Sequence, residues 1–142
     1  MKFFIRADSS STIGTGHIFR TLAFARQLKN HGHSFIYLCR ALDHSLAARI
    51  ETEGGEVIPL PDIVPFSQEK EIVLQAVKIH QPDWIIIDHY EVKEDYYRAL
   101  RDTGVKILAI DDINHTVFPV DVLLNQNISS EQYCYECLPE TV

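Results

Sequence analysis

The sequence predicts an α/β fold: a doubly wound parallel sheet with helices on both faces, Rossmann-like, on three observations. Short apolar runs alternate with stretches of helical periodicity along most of the chain. Several runs are continuous rather than alternating, as in strands covered on both faces. Their ends are polar, at Asp8, Asp88, Asp111 and Asn125, so chemistry collects at one edge of the expected sheet.

The first strand covers residues 3–7 and leads through a small-residue loop into a helix on which Ile18, Leu22, Ala25 and Leu28 recur at helical spacing. Gly32 supplies the stop, and residues 34–39 form the second strand. A helix from about Asp43 turns Leu46, Ala47 and Ile50 inward and breaks at Gly54-Gly55. Residues 57–60 read as a third strand. The prolines that follow, Pro59, Pro61 and Pro65, bar that segment from the middle of a sheet. Ser67 is the expected N-cap of the next helix, which carries Ile72, Val73, Ala76, Val77 and Ile79. The fourth strand, 84–88, is the strongest apolar run and belongs at the centre of the sheet. A helix over 93–103 with Tyr96, Tyr97 and Leu100 inward precedes a fifth strand, 105–110, and a sixth, 120–124. Residues 1–128 therefore form the domain, and 129–142, which lack periodicity, read as a tail or the start of a linker. In the common strand order the first and fourth strands flank the switch point, beside which ligands bind.

A chain of 142 residues, 46% hydrophobic and 23% charged, buries one ordinary core. Its net charge of −7 argues against non-specific nucleic-acid binding and against an anionic membrane surface. Arg6 and Asp8 interrupt the N-terminal apolar run too early for a signal peptide, and no run reaches bilayer length, so a cytoplasmic location is expected. Of the three cysteines, Cys39 reads as a small buried hydrophobe. Cys134 and Cys137 have C-x-x-C spacing, but no second pair completes a tetrahedral site. No cofactor is expected.

The loop Gly14-Thr15-Gly16 invites comparison with the dinucleotide fingerprint and departs from it. Phe19 stands where a third glycine or alanine is needed, and Cys39-Arg40 ends the second strand where an NAD site wants an acid. Arg40 keeps open a contact to a 2′-phosphate. A P-loop is excluded because G-K-[ST] is absent. The two glycines still let backbone approach a ligand closely, and a helix start offers free amides to an oxygen-rich group. His17 falls at that helix start. The positive end of the helix dipole disfavours an imidazolium, so a histidine there suits a general base; the alternative is a histidine that only packs or caps. Asp8 is the candidate to orient it. Asp88, Asp111 and Asp112 read either as cation ligands or, with better support from spacing, as caps of the strand-to-helix turns; no metal site is expected.

Residues 6–20, with R-x-D-x-S followed by G-x-G-H, then Ile87-Asp88-His89-Tyr90, the Asp111-Asp112 pair and residues 123–127, together resemble the N-terminal half of the UDP-2,4-diacetamido-2,4,6-trideoxy-β-L-altropyranose hydrolases of pseudaminic acid biosynthesis. The resemblance covers roughly residues 3–128. It implies a glycosyltransferase-B type fold of two facing α/β domains. It implies that His17 activates water for attack at the anomeric carbon of a UDP-linked amino sugar, releasing UDP with inversion. Arg6, Asp8, Ser9, Gly14, Thr15, Gly16, Asp88, Tyr90, Asp111 and Asn125 are then the candidate substrate-binding residues, with Tyr90 and Asn125 facing the sugar. In that family the nucleotide is held mainly by a C-terminal domain, so this chain is expected to need that domain or a partner chain and to have little activity alone. Two alternatives share the cleft: a non-catalytic sugar or nucleotide-sugar binding module, and half of a glycosyltransferase.

Overall fold

The structure, a computed structural model, describes residues 1–9, 16–40 and 42–142. Its elements are β1 (Lys2–Ala7), α1 (Gly16–Asn30), β2 (Ser34–Cys39), α2 (His44–Thr52), β3 (Glu56–Pro59), α3 (Phe66–His80), β4 (Trp84–Asp88), α4 (Glu94–Arg101), β5 (Lys106–Ile110) and β6 (Val122–Leu124). The strands form one six-stranded sheet in the order β3-β2-β1-β4-β5-β6, and every pairing is parallel. The chain runs outward from β1 to β3 and then crosses back to lay β4 against β1. Strand order therefore reverses between β1 and β4, where Ala7 lies in register with Asp88. The proline-bearing β3 takes an edge, where a missing amide leaves no ladder bond unmade.

Side chains alternate along each strand, and the alternation sorts the core into two layers. Phe3, Ile5, Phe35, Tyr37, Cys39 and Ile86 pack with Ile18, Leu22 and Ala25 of α1 and with Leu46 and Ile50 of α2. Phe4, Ile36, Leu38, Ile85, Ile87 and Ile107 pack on the other face with Val73 and Val77 of α3 and with Tyr96, Tyr97 and Leu100 of α4. Each fully buried Val, Leu, Ile or Phe side chain among these contributes about 1.5–3 kcal/mol, and the adjacent run Ile85-Ile86-Ile87 serves both layers at once. Cys39 belongs to the α1 layer, and burial pushes its thiol up to about 12. At the α2–β3 turn Gly54 has φ of 82° and a Cβ on Gly55 would lie 2.1 Å from the Phe35 ring. The double glycine is thus needed twice over, for a left-handed turn and for close approach to β2.

Several boundaries differ from expectation. α3 starts at Phe66 with Pro65 in the N-cap position and no side-chain cap, so Ser67 lies inside the first turn. The fixed φ of proline shapes the entry without a hydroxyl. Ile79 is 75% exposed, because the buried stripe of α3 runs through Glu69, Val73 and Val77 and leaves position 79 on the outside. The last segment, expected as a tail or linker, docks on the domain. It contains a 3₁₀ turn at Ser130–Gln132, pairs Cys137 with Phe118, and exchanges backbone hydrogen bonds between Val142 and the flank of β6 at Asp121 and Leu123.

Candidate functional site

His17 is the second residue of α1 and is 7% exposed. Its Nδ1 lies 2.5 Å from Oδ1 of Asp88, the last residue of β4. Nitrogen and carboxylate oxygen at that separation require a hydrogen between them, so Nδ1 donates, and in the neutral ring the lone pair is then on Nε2. Among the described residues no hydrogen-bond partner takes Nε2. The ring stands edge-on to Tyr90, with centroids 4.9 Å apart. One turn further along α1, Arg20 places Nε 2.5 Å from Asp88 Oδ2 and also donates through Nη2 to Asp88 Oδ1. Its Nη1 reaches Asp112 Oδ2 at 3.4 Å, and Tyr90 donates its hydroxyl to Asp112 Oδ1 at 2.5 Å. Burial pushes the Tyr90 hydroxyl above its ordinary range, so it remains a donor.

Strand alternation explains why this acid meets this histidine. On β4, Asp88 shares the face of Ile86, the face covered by α1. On β1, Arg6 shares the face of Phe4, and Asp8 continues that parity onto the opposite side, under α3. Asp8 therefore does not orient His17. It accepts from both Arg6 Nη1 and Nη2, at 2.5 and 2.8 Å, from the Arg40 amide at 2.8 Å, and from His89 Nε2 at 3.0 Å. Arg6, with no exposed surface, also donates to Glu69 at 2.6 and 2.9 Å. Arg40 Nε meets the same Glu69 at 2.5 Å, and Phe66 stacks on His89 with centroids 4.9 Å apart. Arg6 and Asp8 are thus buried and paired with each other and with Glu69 and His89 inside the protein.

The same parity separates the two acids after β5. Asp111 is fully buried and accepts from the Ile113 and Asn114 amides at 3.0 and 2.5 Å and from His115 Nδ1 at 2.5 Å, so it builds the turn. Asp112, which was absent from the expected binding set, lies on the His17 side. Asn125 likewise serves the fold: its amide donates to the Tyr135 hydroxyl at 2.8 Å and accepts from the Asn127 amide at 3.0 Å. Ser9 is buried beside Asp8, and Gly16 opens α1. Gly14 and Thr15 lie outside the described residues. The structure thus brings together His17, Asp88 and Tyr90 of the expected set and adds Arg20 and Asp112. Arg20 was legible as the residue three after His17 on one helix face; Glu69 carried no signal, since a glutamate in a first helical turn ordinarily faces water. Among the described residues, no group of three or more His, Cys, Asp or Glu side chains is arranged to hold a metal ion. No helix among them is long and apolar enough to cross a membrane.

Two of these carboxyls tie stability to pH. Burial alone would raise Asp8, but hydrogen bonds from His89 and Arg6, with the Arg6 charge, outweigh it and hold it well below the usual range. Burial also opposes Asp111, and the His115 bond and the Asn114 amide hold it below that range. A carboxyl lowered in the folded state stabilises the fold above the unfolded value of about 4 and ceases to do so as pH falls. The thermal midpoint is therefore expected to be flat from neutrality to about pH 5 and to drop below it, by the same linkage. Asp8→Asn should flatten that acid limb; an unchanged limb in a melting series would remove Asp8 as its cause.

No family model matches the chain. Over 97% of its length it is 34% identical to a UDP-2,4-diacetamido-2,4,6-trideoxy-β-L-altropyranose hydrolase of Campylobacter jejuni, of which it covers 46%. It is 29% identical over 92% of its length to an uncharacterised protein of Methanocaldococcus jannaschii, of which it covers 26%. The chain thus spans less than half the length of either relative. In fold it is similar to a glycosyltransferase of Rickettsia africae, at 17% identity and a TM-score of 0.60, covering 78% of this chain and 29% of that one. MurG of Acinetobacter baumannii gives 15% identity and a TM-score of 0.56 over 77% of this chain and 34% of that one. These likenesses, with the six-stranded parallel sheet, identify the fold as one Rossmann-like half of a glycosyltransferase-B architecture.

Proposed function

We propose, from the premise that the chain is a relative of the UDP-2,4-diacetamido-2,4,6-trideoxy-β-L-altropyranose hydrolases, that it is the half of such an enzyme that carries the catalytic base. His17 Nε2 takes a proton from a water that attacks the anomeric carbon of a UDP-linked diacetamido sugar. The bond from that carbon to the diphosphate oxygen breaks with its electrons on UDP, and the free sugar leaves with inverted configuration. A diphosphate is a stable leaving anion, so the reaction needs a base on one side and little acid on the other. The observation that carries this reading is the 2.5 Å contact between His17 Nδ1 and Asp88 Oδ1, which in the neutral ring makes Nε2 the basic nitrogen. Tyr90, edge-on to the ring, and Asp112, which accepts the Tyr90 hydroxyl, are the polar groups for the sugar. The nucleotide falls to a second α/β domain: Arg6, Arg20 and Arg40 are each already paired with carboxylates here.

The chain alone is expected to release no UDP above background, and to do so when a second, nucleotide-binding half is supplied in trans or by fusion. UDP release is measured with no sugar acceptor present, which separates hydrolysis from glycosyl transfer. Release by the chain alone would overturn the division of labour. No release in any combination would favour a binding module.

A further inference from the structure

We infer that Arg20 is a positioning residue of this site: its guanidinium clamps the Asp88 carboxylate against Nδ1 of His17 and so holds the imidazole in the form that leaves Nε2 unprotonated. The inference rests on the reading of His17 as a base, but it concerns ring geometry and is testable without turnover.

Asp88 has no exposed side-chain surface, whereas the Arg20 side chain is 24% exposed and covers it from the solvent side. The contact is two-pronged, Nε on Oδ2 at 2.5 Å and Nη2 on Oδ1. Two parallel bonds fix the plane of a carboxylate as well as its place. That matters because the terminal torsion of an aspartate is broad, so an unclamped carboxylate at a strand end can turn its oxygens away from the ring. The other end of the clamp is held too. Nη1 lies 3.4 Å from Asp112, which Tyr90 grips at 2.5 Å, so Arg20 ties the end of β4 to the end of β5.

The same guanidinium carries a second constraint. Its Nη2 is 3.2 Å from His17 Nδ1, and both nitrogens donate to the one oxygen, Asp88 Oδ1. While the carboxylate stays between them, Nδ1 keeps its hydrogen. If the carboxylate turns away, the nearest group to Nδ1 is a donor, and the ring hydrogen is then better placed on Nε2, which ends its use as a base. Arginine suits this place because its fork holds both oxygens; a lysine offers a single point charge and should hold the plane less well.

The test is a long-range ¹H–¹⁵N correlation spectrum of the histidine rings in the ¹⁵N-labelled chain and in R20M, R20Q and R20K. The unsubstituted chain should show His17 with hydrogen on Nδ1 and a bare Nε2. In R20M and R20Q the ratio of that form to the Nε2–H form should fall by about tenfold, the size of one lost charge-assisted hydrogen bond. R20K should fall between. The backbone amide spectrum checks that each variant is folded, and two neutral replacements guard against one that is not. Unchanged ratios in the folded neutral variants would overturn the inference, as would an Nε2–H ring in the unsubstituted chain. Failure of the functional reading is visible elsewhere, in UDP release that is indifferent to His17.

Discussion

With a nucleotide-binding half supplied, His17→Ala is expected to lower kcat for UDP release by about 10²–10⁴-fold, the span of a positioned general base. KM should change little, because the ring is proposed to act on water and the nucleotide is proposed to be held elsewhere. Asp88→Asn should lose nearly as much. With a carboxylate gone, nothing requires a hydrogen on Nδ1, and the Arg20 Nη2 at 3.2 Å is ready to donate there instead. His17→Ala and Asp88→Asn act on one unit, so the double variant should be no slower than the worse single one. Steady-state rates with the three variants are sufficient. Additive losses would mean that Asp88 acts independently of the ring. A His17→Ala enzyme with ordinary kcat would end the base reading altogether.

The largest expected effect on stability lies on the opposite face of the sheet. Glu69 has no exposed side-chain surface and is the shared partner of Arg6 and Arg40. Glu69→Ala leaves the wholly buried Arg6 guanidinium short of one of its two carboxylates, and removing one member of a buried charge set is destabilising by about 3–5 kcal/mol. Burial alone would make Arg6 easier to deprotonate, yet its bonds to Asp8 and Glu69 push it above the ordinary range, so the charge cannot be relieved by losing a proton. For a chain of 142 residues that corresponds to a fall of roughly 10–20 °C in the melting temperature. Glu69→Gln, which keeps the shape and part of the hydrogen bonding, should fall less. A calorimetric shift under about 3 °C for Glu69→Ala, the scale of a surface change, would show that water or Asp8 compensates Arg6 without it. Because Asp8 binds the amide of Arg40 as well as Arg6, this network also holds the ends of β1 and β2 together. Its failure should loosen the ends of β1 and β2 before the rest of the sheet.

The amino-acid sequence by itself determined the architecture and the edge on which chemistry would gather. Continuous apolar runs such as 84–88 can be buried only on two faces, and their alternation with amphipathic helices leaves few arrangements other than a parallel, doubly wound sheet. The placing of His17 at a helix start after a glycine-bearing loop was legible for the same local reason. Only the tertiary structure decided which acid the histidine meets. Asp8 is nine residues away in sequence and Asp88 is 71, yet Asp88 is the partner. Proximity in sequence is overridden by the face on which each side chain leaves its strand. The period of two assigns Asp88 and Asp112 to one side and Arg6, Asp8 and Asp111 to the other, but that assignment acquires meaning once α1 is known to cover the first side and α3 the second. Glu69 was undecidable on the same ground. A carboxylate in the first turn of a helix ordinarily faces water, and it is buried here because its helix lies over a strand whose wholly buried Arg6 it pairs with.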